Sequence, residues 1–115
     1  KLSAELGNAD VELVRKELGT EFDMIVHEPD GILEIGQAGH SKASGIERLC
    51  ASLGIAKEDT YAFGDSANDV EMLEFVAHGI AMGNGTDVAK NAAEFVTTDI
   101  HKDGIWNGLK HYGLI

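Results

Sequence analysis

The sequence predicts an α/β fold in which a parallel sheet with covering helices follows a shorter α+β region. From residue 41 onward, apolar runs of strand length alternate with segments of helix length, and such alternation builds a parallel sheet through right-handed crossovers. Before this, a helical repeat is followed by two strand-like runs. We place the boundary in the glycine-containing stretch 36–39, which gives predicted domains of residues 1–38 and 39–115.

The first region is predicted to fold as helix, strand and strand. Apolar residues recur at spacings of three and four from Val11 to Leu18, as on one face of a helix, and Gly19 is a suitable stop. The runs Phe22 to His27 and Ile32 to Ile35 have the composition of strands. The link between them, Glu28-Pro29-Asp30-Gly31, contains the one proline and indicates a hairpin.

The second region begins with a helix that Ser41 can cap and Gly54 can end. Its apolar face consists of Ile46, Leu49, Cys50 and Leu53. The elements that follow are predicted as strand 60–63, helix 68–76, strand 78–82, helix 86–92, strand 94–97 and helix 104–112. In the last helix we expect Trp106 and Tyr112 to be packing residues.

Composition limits the classes of partner. The chain carries nine basic and 20 acidic residues, for a net charge of −11, which repels nucleic acid and anionic membranes. The single cysteine, Cys50, excludes an internal disulfide and suits a reducing compartment. Because no apolar run approaches the ~20 residues of a membrane span and no leader is evident, we predict a cytoplasmic protein. Residue 1 is lysine, so we expect a piece of a longer chain.

The most informative segment is Gly64-Asp65-Ser66-Ala67-Asn68-Asp69, where a predicted strand meets a helix. Ligands of open parallel sheets bind outside the carboxyl ends of the strands. Asp65, Asn68 and Asp69 are spaced to converge on one side of a helical turn, and two carboxylates with an amide form a hard-oxygen site suited to Mg²⁺. The alternative is an aspartate helix cap followed by a solvated acidic turn, and the spacing alone leaves both open.

Two further features lie at the starts of predicted helices. Lys42 follows Ser41 at a helix amino end, where the helix dipole disfavours a cation unless a carboxylate or phosphate compensates it. The alternative is a lysine that faces solvent. The loop Met82-Gly83-Asn84-Gly85-Thr86 places glycines on both sides of Asn84, and such loops either approach an anionic ligand or are only tight turns.

These three elements, in this order, resemble the carboxyl-terminal motifs of Cof-type haloacid-dehalogenase phosphatases. The tail from Val96-Thr97-Thr98-Asp99 to Lys102-Asp103-Gly104-Ile105 is similar to that family as well, and the resemblance is continuous from about Leu33 to Ile115. It implies a partial Rossmann-like core, with the last three parallel strands and their helices, preceded by the carboxyl-terminal helix-strand-strand part of a substrate-selecting cap domain.

The resemblance also implies a magnesium cofactor and a role for each candidate residue. Asp65 and Asp69 are assigned to the metal, with Asp69 holding the metal's waters or orienting Lys42. Lys42 would neutralise the nucleophile and the transferring phosphoryl group. Asn68 would hydrogen-bond within the site, and it would contact phosphate or substrate together with Lys42 and Asn84.

The chain departs from the family pattern in two ways. The family's nucleophile lies in an Asp-x-Asp-Gly motif, and the nearest string here, Glu28-Pro29-Asp30-Gly31, begins with glutamate and falls in a predicted hairpin, so we reject it. We expect the nucleophile, and the family's phosphate-binding Ser or Thr, to precede Lys1 in a longer protein. Gly85 replaces the alanine common after the asparagine, which we expect to alter only loop freedom.

The resemblance implies hydrolysis of small, sugar-like phosphate monoesters through an aspartyl-phosphate in the parent protein, with this chain alone inactive. Two alternatives remain: a non-catalytic folded fragment, and a phosphomutase on the same core. The expected partner is a small phosphorylated metabolite, not nucleic acid or membrane. We also expect self-association, or pairing with a complementary amino-terminal fragment.

Overall fold

The computed structural model describes residues 2–5, 11–19, 21–27 and 31–115. The chain divides into two compact units, residues 1–40 and 41–115, so the division falls close to the predicted boundary of 38 and 39. Within the described residues, no helix is both long enough and apolar enough to cross a membrane.

The first unit contains a three-stranded antiparallel sheet and one helix. Its strands are β1 (Leu2–Glu5), β2 (Phe22–His27) and β3 (Ile32–Gln37), in the order β1-β3-β2. Helix α1 (Val11–Leu18) precedes β2. Because β3 is the central strand, it carries the one described side chain of this unit that is fully buried, Leu33, which is 1% exposed.

Strand β1 corrects the prediction of helix, strand and strand for this region. Its four residues are all exposed and include no β-branched or aromatic side chain, so the sequence contains no strand signal there. Pairing with β3 places it instead, with Leu2 opposite Ile35 and Glu5 opposite Ile32. Residues 28–30 of the predicted hairpin link lie outside the described residues, and the antiparallel pairing of β2 with β3 is as predicted.

The second unit is built on a parallel sheet, which confirms the predicted α/β class. Its strands are β4 (Tyr61–Gly64), β5 (His78–Ala81) and β6 (Phe95–Val96), in the order β4-β5-β6. Its helices are α2 (Lys42–Leu53), α3 (Val70–Phe75), α4 (Asp87–Ala92) and α5 (Gly104–His111). The order of elements agrees with the prediction, and β6 is shorter than predicted.

Helix α2 begins and ends at the residues that the sequence indicated. The Ser41 side chain accepts a hydrogen bond from the Ser44 backbone N–H at 3.2 Å, and the Ser44 hydroxyl accepts one from the Ser41 N–H at 3.0 Å. Gly54 ends the helix in the left-handed conformation, at φ 68°, which favours glycine. These caps fix Lys42 in the first turn.

The core of this unit lies between the parallel sheet and its helices. Ile80 and Ala81 of β5 and Ala89 of α4 are fully buried, and Leu73 of α3 is nearly so. The helices can lie close to the sheet because glycines occupy positions where the two are in contact. A side chain at Gly79 would place its Cβ 2.3 Å from the Leu73 carbonyl oxygen, so no larger residue fits without moving α3.

Several large apolar side chains of the second unit are exposed. Leu49 and Leu53, on the predicted inner face of α2, are 57% and 63% exposed, and Cys50 is half-buried. Trp106 was expected to be a packing residue and is 52% exposed, with the Lys110 ammonium 4.7 Å from its ring centroid. That expectation was wrong because two glycines, Gly104 and Gly108, form the buried side of α5 instead. The outer edge of β4 has no strand partner among the described residues.

Candidate active site

Two loops of the second unit follow neighbouring parallel strands and meet at the carboxyl edge of the sheet. Residues 64–69 follow β4, and residues 82–86 follow β5. Gly64 ends β4 against the next turn of chain, and a Cβ there would lie 2.6 Å from the Cβ of Asp69. The glycine therefore allows Asp69 to fold back beneath the end of its own strand.

Asp69 holds this loop together. A short 3-10 turn from Ala67 to Asp69 brings its carboxylate back to the start of the loop. Asp69 Oδ2 accepts hydrogen bonds from the backbone N–H groups of Asp65, at 2.9 Å, and Ser66, at 3.2 Å. The residue is only 4% exposed, so these bonds satisfy a buried carboxylate that would otherwise be costly.

The other oxygen of this carboxylate forms an ion pair with Lys42. The Lys42 ammonium donates to Asp69 Oδ1, and the lysine side chain is about half-exposed while that of Asp69 is buried. Burial raises the pKa of Asp69, but the hydrogen bond from Lys42, the Asp65 and Ser66 amides and the charge of Lys42 outweigh it and hold the pKa below its ordinary value. A carboxylate thus compensates the cation at the start of α2.

Asp65 differs from Asp69 in having a free carboxylate. Its side chain is exposed and forms no hydrogen bond or ion pair with any described residue. Its backbone is fixed at both ends: the N–H donates to Asp69, and the carbonyl oxygen accepts from the Thr86 N–H at 2.8 Å. The Asp65 carboxylate is thus an exposed hard-oxygen group, without a partner among the described residues, at the carboxyl edge of a parallel sheet.

The donor groups at this edge of the sheet are compatible with a magnesium ion. In the described part of the chain, no group of three His, Cys, Asp or Glu side chains is close enough to hold a metal ion. Asp65 is a hard-oxygen donor without a competing partner, whereas both oxygens of Asp69 are used by Lys42 and the loop. Magnesium keeps several waters and takes few protein ligands, so one carboxylate here is compatible with it.

Asn68 and Asn84 are both engaged with protein groups. Asn68 Oδ1 accepts a hydrogen bond from the Ser66 hydroxyl at 2.5 Å, which keeps Asn68 within the loop. Asn84 Oδ1 accepts from the Ile100 backbone N–H at 2.9 Å. Asn84 therefore ties the 82–86 loop to the segment after β6, a structural role that the sequence did not indicate.

Residues 3–109 match the family described as haloacid dehalogenase-like hydrolase. The chain belongs to this family.

Several relatives of this chain are named as phosphatases. It is 42% identical, over 73% of its length, to 5-amino-6-(5-phospho-D-ribitylamino)uracil phosphatase YitU of Bacillus subtilis, and it spans 31% of that protein. It is also 42% identical, over 83% of its length, to the putative phosphatase YkrA of the same organism, of which it spans 37%.

A solved structure of similar fold is the HAD subclass IIB sugar phosphatase BT4131. The two match with a TM-score of 0.85 at 31% sequence identity, over 98% of this chain and 43% of that one. The chain thus spans between about a third and two fifths of the length of these proteins. The predicted resemblance to haloacid-dehalogenase phosphatases is confirmed.

Within this hydrolase fold, the structure brings Lys42, Asp65, Asn68 and Asp69 to one edge of the sheet. Two contributors were missed by sequence reasoning. Ser66 was not assigned a role, although its hydroxyl and N–H both bind within the loop. Thr86 caps α4, and it also holds the Asp65 carbonyl. A Ser three residues before an Asp is a recognisable capping pattern, and it could have indicated the role of Ser66.

Proposed function

We propose that this chain is the carboxyl-terminal part of a magnesium-dependent phosphatase that hydrolyses small phosphate monoesters. The observation that carries the proposal is the pairing of Lys42 with buried Asp69 beside the free carboxylate of Asp65. The cation of Lys42 and the carboxylate of Asp65 thus lie at the same edge of the sheet. Phosphoryl transfer requires a cation that interacts with the phosphoryl oxygens and a ligand that holds a metal ion.

Lys42 is the group that would contact the transferring phosphoryl. Its ammonium has three donors, and the described contacts use one acceptor, Asp69 Oδ1. The remaining donors can reach a phosphoryl oxygen or the attacking carboxylate from the exposed side of the lysine. Since Asp69 is fixed by two backbone N–H groups, the ammonium is positioned before substrate arrives, and little reorganisation is needed.

Asp65 is the residue of this chain that would hold the metal ion, and Asp69 would act mainly by orienting Lys42. Bound magnesium would supply positive charge to the phosphoryl oxygens. The nucleophile in this proposal is an aspartate outside residues 1–115, whose carboxylate oxygen attacks phosphorus as the ester oxygen leaves. Water then cleaves the phosphorus–oxygen bond of the aspartyl-phosphate, which returns the carboxylate and releases inorganic phosphate.

The names of two relatives support a proposal for the substrate class. YitU is named for a phosphorylated ribityl compound and BT4131 is named a sugar phosphatase, so we propose a small metabolite with a phosphorylated polyol or sugar. The net charge of −11 supports a need for the Lys42 cation and a metal ion, because the rest of the chain repels such an anion.

The test compares the protein from the complete reading frame with the 115-residue chain. With magnesium, the complete protein should release phosphate from sugar phosphates and p-nitrophenyl phosphate, and the 115-residue chain should not. Lys42→Met and Asp65→Asn in the complete protein should each lower kcat/KM by at least about a hundredfold.

Matched controls remove the same charges elsewhere. Lys110 lies on α5 and Asp59 lies in an exposed turn. The variants Lys110→Met and Asp59→Asn should both keep full activity. Unchanged turnover in Lys42→Met, or turnover that persists after chelation of divalent ions, would contradict the proposal. Transfer of phosphate to a sugar hydroxyl instead of water would favour the phosphomutase alternative.

A further inference from the structure

The two polar atoms of the Asn68 amide, in the loop after β4, are used differently. Asn68 Oδ1 accepts a hydrogen bond from the Ser66 hydroxyl at 2.5 Å, and Asn68 Nδ2 has no partner among the described residues. We propose that Ser66 is a positioning residue, which fixes the Asn68 amide so that its nitrogen, and not its oxygen, is offered to the phosphoryl group. This inference rests on the proposed function, because the anion that it concerns is the substrate of that reaction.

The distance between Ser66 and Asn68 identifies the amide atom that faces the hydroxyl. Hydrogen bonds from O–H to oxygen extend from about 2.5 to 3.0 Å, whereas those from N–H to oxygen are rarely shorter than about 2.7 Å. The separation of 2.5 Å therefore fits a hydroxyl that donates to Oδ1, and it is too short for Nδ2 to donate to the hydroxyl. Because an amide group is planar, the bond that holds its oxygen also fixes the direction of its nitrogen.

The Ser66 hydroxyl has a second acceptor within reach, the Asp69 carboxylate. Asp69 Oδ2 lies 3.4 Å from Ser66 Oγ, and it already accepts from the backbone N–H groups of Asp65 and Ser66. If the hydroxyl proton went to Asp69, the Ser66 oxygen would accept from Asn68 Nδ2, and the amide oxygen would face outward. The much shorter distance to Asn68 Oδ1 assigns the proton to the amide oxygen.

An outward nitrogen makes Asn68 a donor to an anion and not a ligand of a metal ion. The amide nitrogen carries two N–H donors, whereas magnesium takes oxygen ligands. Asn68 directly precedes Asp69, whose other carboxylate oxygen pairs with Lys42. Asn68 is half-buried, so its donors are partly removed from water, and a phosphoryl oxygen would supply the acceptor that they lack. This differs from the sequence expectation, in which the amide joined two carboxylates in a hard-oxygen site.

The decisive variants are Ser66→Ala and Ser66→Thr in the protein from the complete reading frame. Ser66→Ala removes the hydroxyl and frees the amide to turn, so the inhibition constant of orthophosphate should rise about tenfold. Ser66→Thr keeps the hydroxyl and should restore inhibition, because the extended backbone of Ser66, at φ −137° and ψ 175°, suits a β-branched residue. Ser52→Ala is the matched control, since Ser52 is exposed on α2 and bonds to no described residue.

The magnesium dependence separates the two orientations of the amide. With the nitrogen outward, Ser66→Ala should leave the magnesium concentration for half-maximal activity unchanged, because no metal ligand is altered. Asn68→Asp replaces the two donors by a charged oxygen and should lower kcat/KM by at least about a hundredfold. Full activity in Asn68→Asp, or a magnesium requirement that changes in Ser66→Ala while orthophosphate inhibition does not, would overturn the inference. Equal changes in both constants would show a general loosening of the loop and would overturn it as well.

A further readout needs neither metal nor turnover. In the metal-free complete protein, ¹⁵N relaxation of the Asn68 side-chain amide should give an order parameter of about 0.85, as for rigid backbone, and one below about 0.6 in Ser66→Ala. A mobile amide in the original sequence would overturn the inference. If the complete protein hydrolyses no ester, the proposed function fails, while this order parameter still decides whether Ser66 fixes the amide. The response of the Asn68 Nδ2 signals to added orthophosphate then decides whether the nitrogen meets an anion, and no response would overturn that part.

Discussion

The two ends of the parallel sheet β4-β5-β6 are built in opposite ways. At the amino ends of the strands, polar and aromatic side chains pair with one another. His78 Nδ1 and the Tyr112 hydroxyl both lie 2.9 Å from Glu94 Oε2, and the ring of Tyr61 stacks on that of His78 at a centroid distance of 4.6 Å. At the carboxyl ends, side chains secure the backbone of the loops, and the Asp65 carboxylate is left without a described partner.

This difference separates a stabilising cluster from a candidate site. Each end contains an acidic residue whose pKa lies below its ordinary value. For Glu94 the main cause is the hydrogen bond from His78. For Asp69 the pKa is lowered although burial acts to raise it. A lowered pKa therefore does not identify the site. What distinguishes the carboxyl end is its place: Asp65 lies exposed between two loops with fixed backbones, outside the carboxyl ends of parallel strands, where ligands bind.

The largest expected effect on stability is that of Asp69→Ala. It removes the acceptor of two backbone N–H groups and the partner of Lys42 at a position that is 4% exposed. The free energy of unfolding should fall by about 3 kcal/mol. Urea denaturation of this chain measures it, with Asp59→Asn as an exposed control. A loss no larger than the control would show that the carboxyl end contributes nothing to stability.

The opposite end should respond less strongly. Tyr112→Phe removes the hydroxyl that donates to Glu94 and keeps the ring that meets Tyr61 edge-on, at a centroid distance of 5.4 Å. We expect a loss of about 1 kcal/mol in the free energy of unfolding by the same urea assay. A loss equal to that of Asp69→Ala would contradict the expectation that the carboxyl end contributes more to the free energy of unfolding than the amino end.

The two ends should also lose stability at opposite limits of pH. The pKa of Asp69 is lower in the folded protein than the ordinary 3.8, so its contribution is complete above that value and is lost as pH falls through the folded pKa. Unfolding free energies measured by urea from about pH 5 to pH 2 should therefore drop less in Asp69→Asn than in the original sequence. Parallel curves would argue against a carboxylate held by Lys42.

At alkaline pH it is the amino end of the sheet that should lose stability. Burial, followed by the hydrogen bond to Glu94, raises the pKa of Tyr112 from 10.0 to about 12. A raised pKa stabilises the fold below the unfolded value, so stability should decline as pH rises from 10 through about 12. Ultraviolet titration should show a late tyrosinate step that is absent from Tyr112→Phe. Titration of Tyr112 near pH 10 would contradict the contact with Glu94.

The smallest effect on stability belongs to Asp65→Asn. Since this carboxylate has no described partner, the free energy of unfolding should change by no more than about 0.5 kcal/mol. The same change should abolish magnesium-dependent hydrolysis by the complete protein. A large loss of stability would reveal a structural role for Asp65 and weaken the distinction between the two ends.

Local signals accounted for much of this fold. The caps Ser41 and Gly54 and the strand β2 were predicted at their observed positions, because caps and apolar runs depend on residues near in sequence. The dipole argument for Lys42 also anticipated a compensating group, although the sequence could not distinguish a carboxylate from a phosphate.

The features that were missed depend on residues distant in the chain. Strand β1 forms only because β3 pairs with it, and Asn84 meets a backbone N–H 16 residues away. The exposure of Trp106 follows from the packing of the opposite face of α5, where Gly108 meets the Phe63 ring of β4. The close contact of Gly85, where a Cβ would lie 2.9 Å from the Asp65 carbonyl oxygen, involves another loop. None of these partners can be recognised from spacing within one element.

The close approach of the helices to the sheet has a consequence for random mutagenesis. A Cβ at Gly79 would meet the Leu73 carbonyl at 2.3 Å, and one at Gly108 would meet the Phe63 ring at 2.5 Å, whereas Gly36 and Gly45 have open surroundings. In a library selected for soluble expression, the codons for Gly79 and Gly108 should retain glycine almost alone, and those for Gly36 and Gly45 should accept many replacements. The tolerance of each glycine codon would then report the helix–sheet distance without any coordinates.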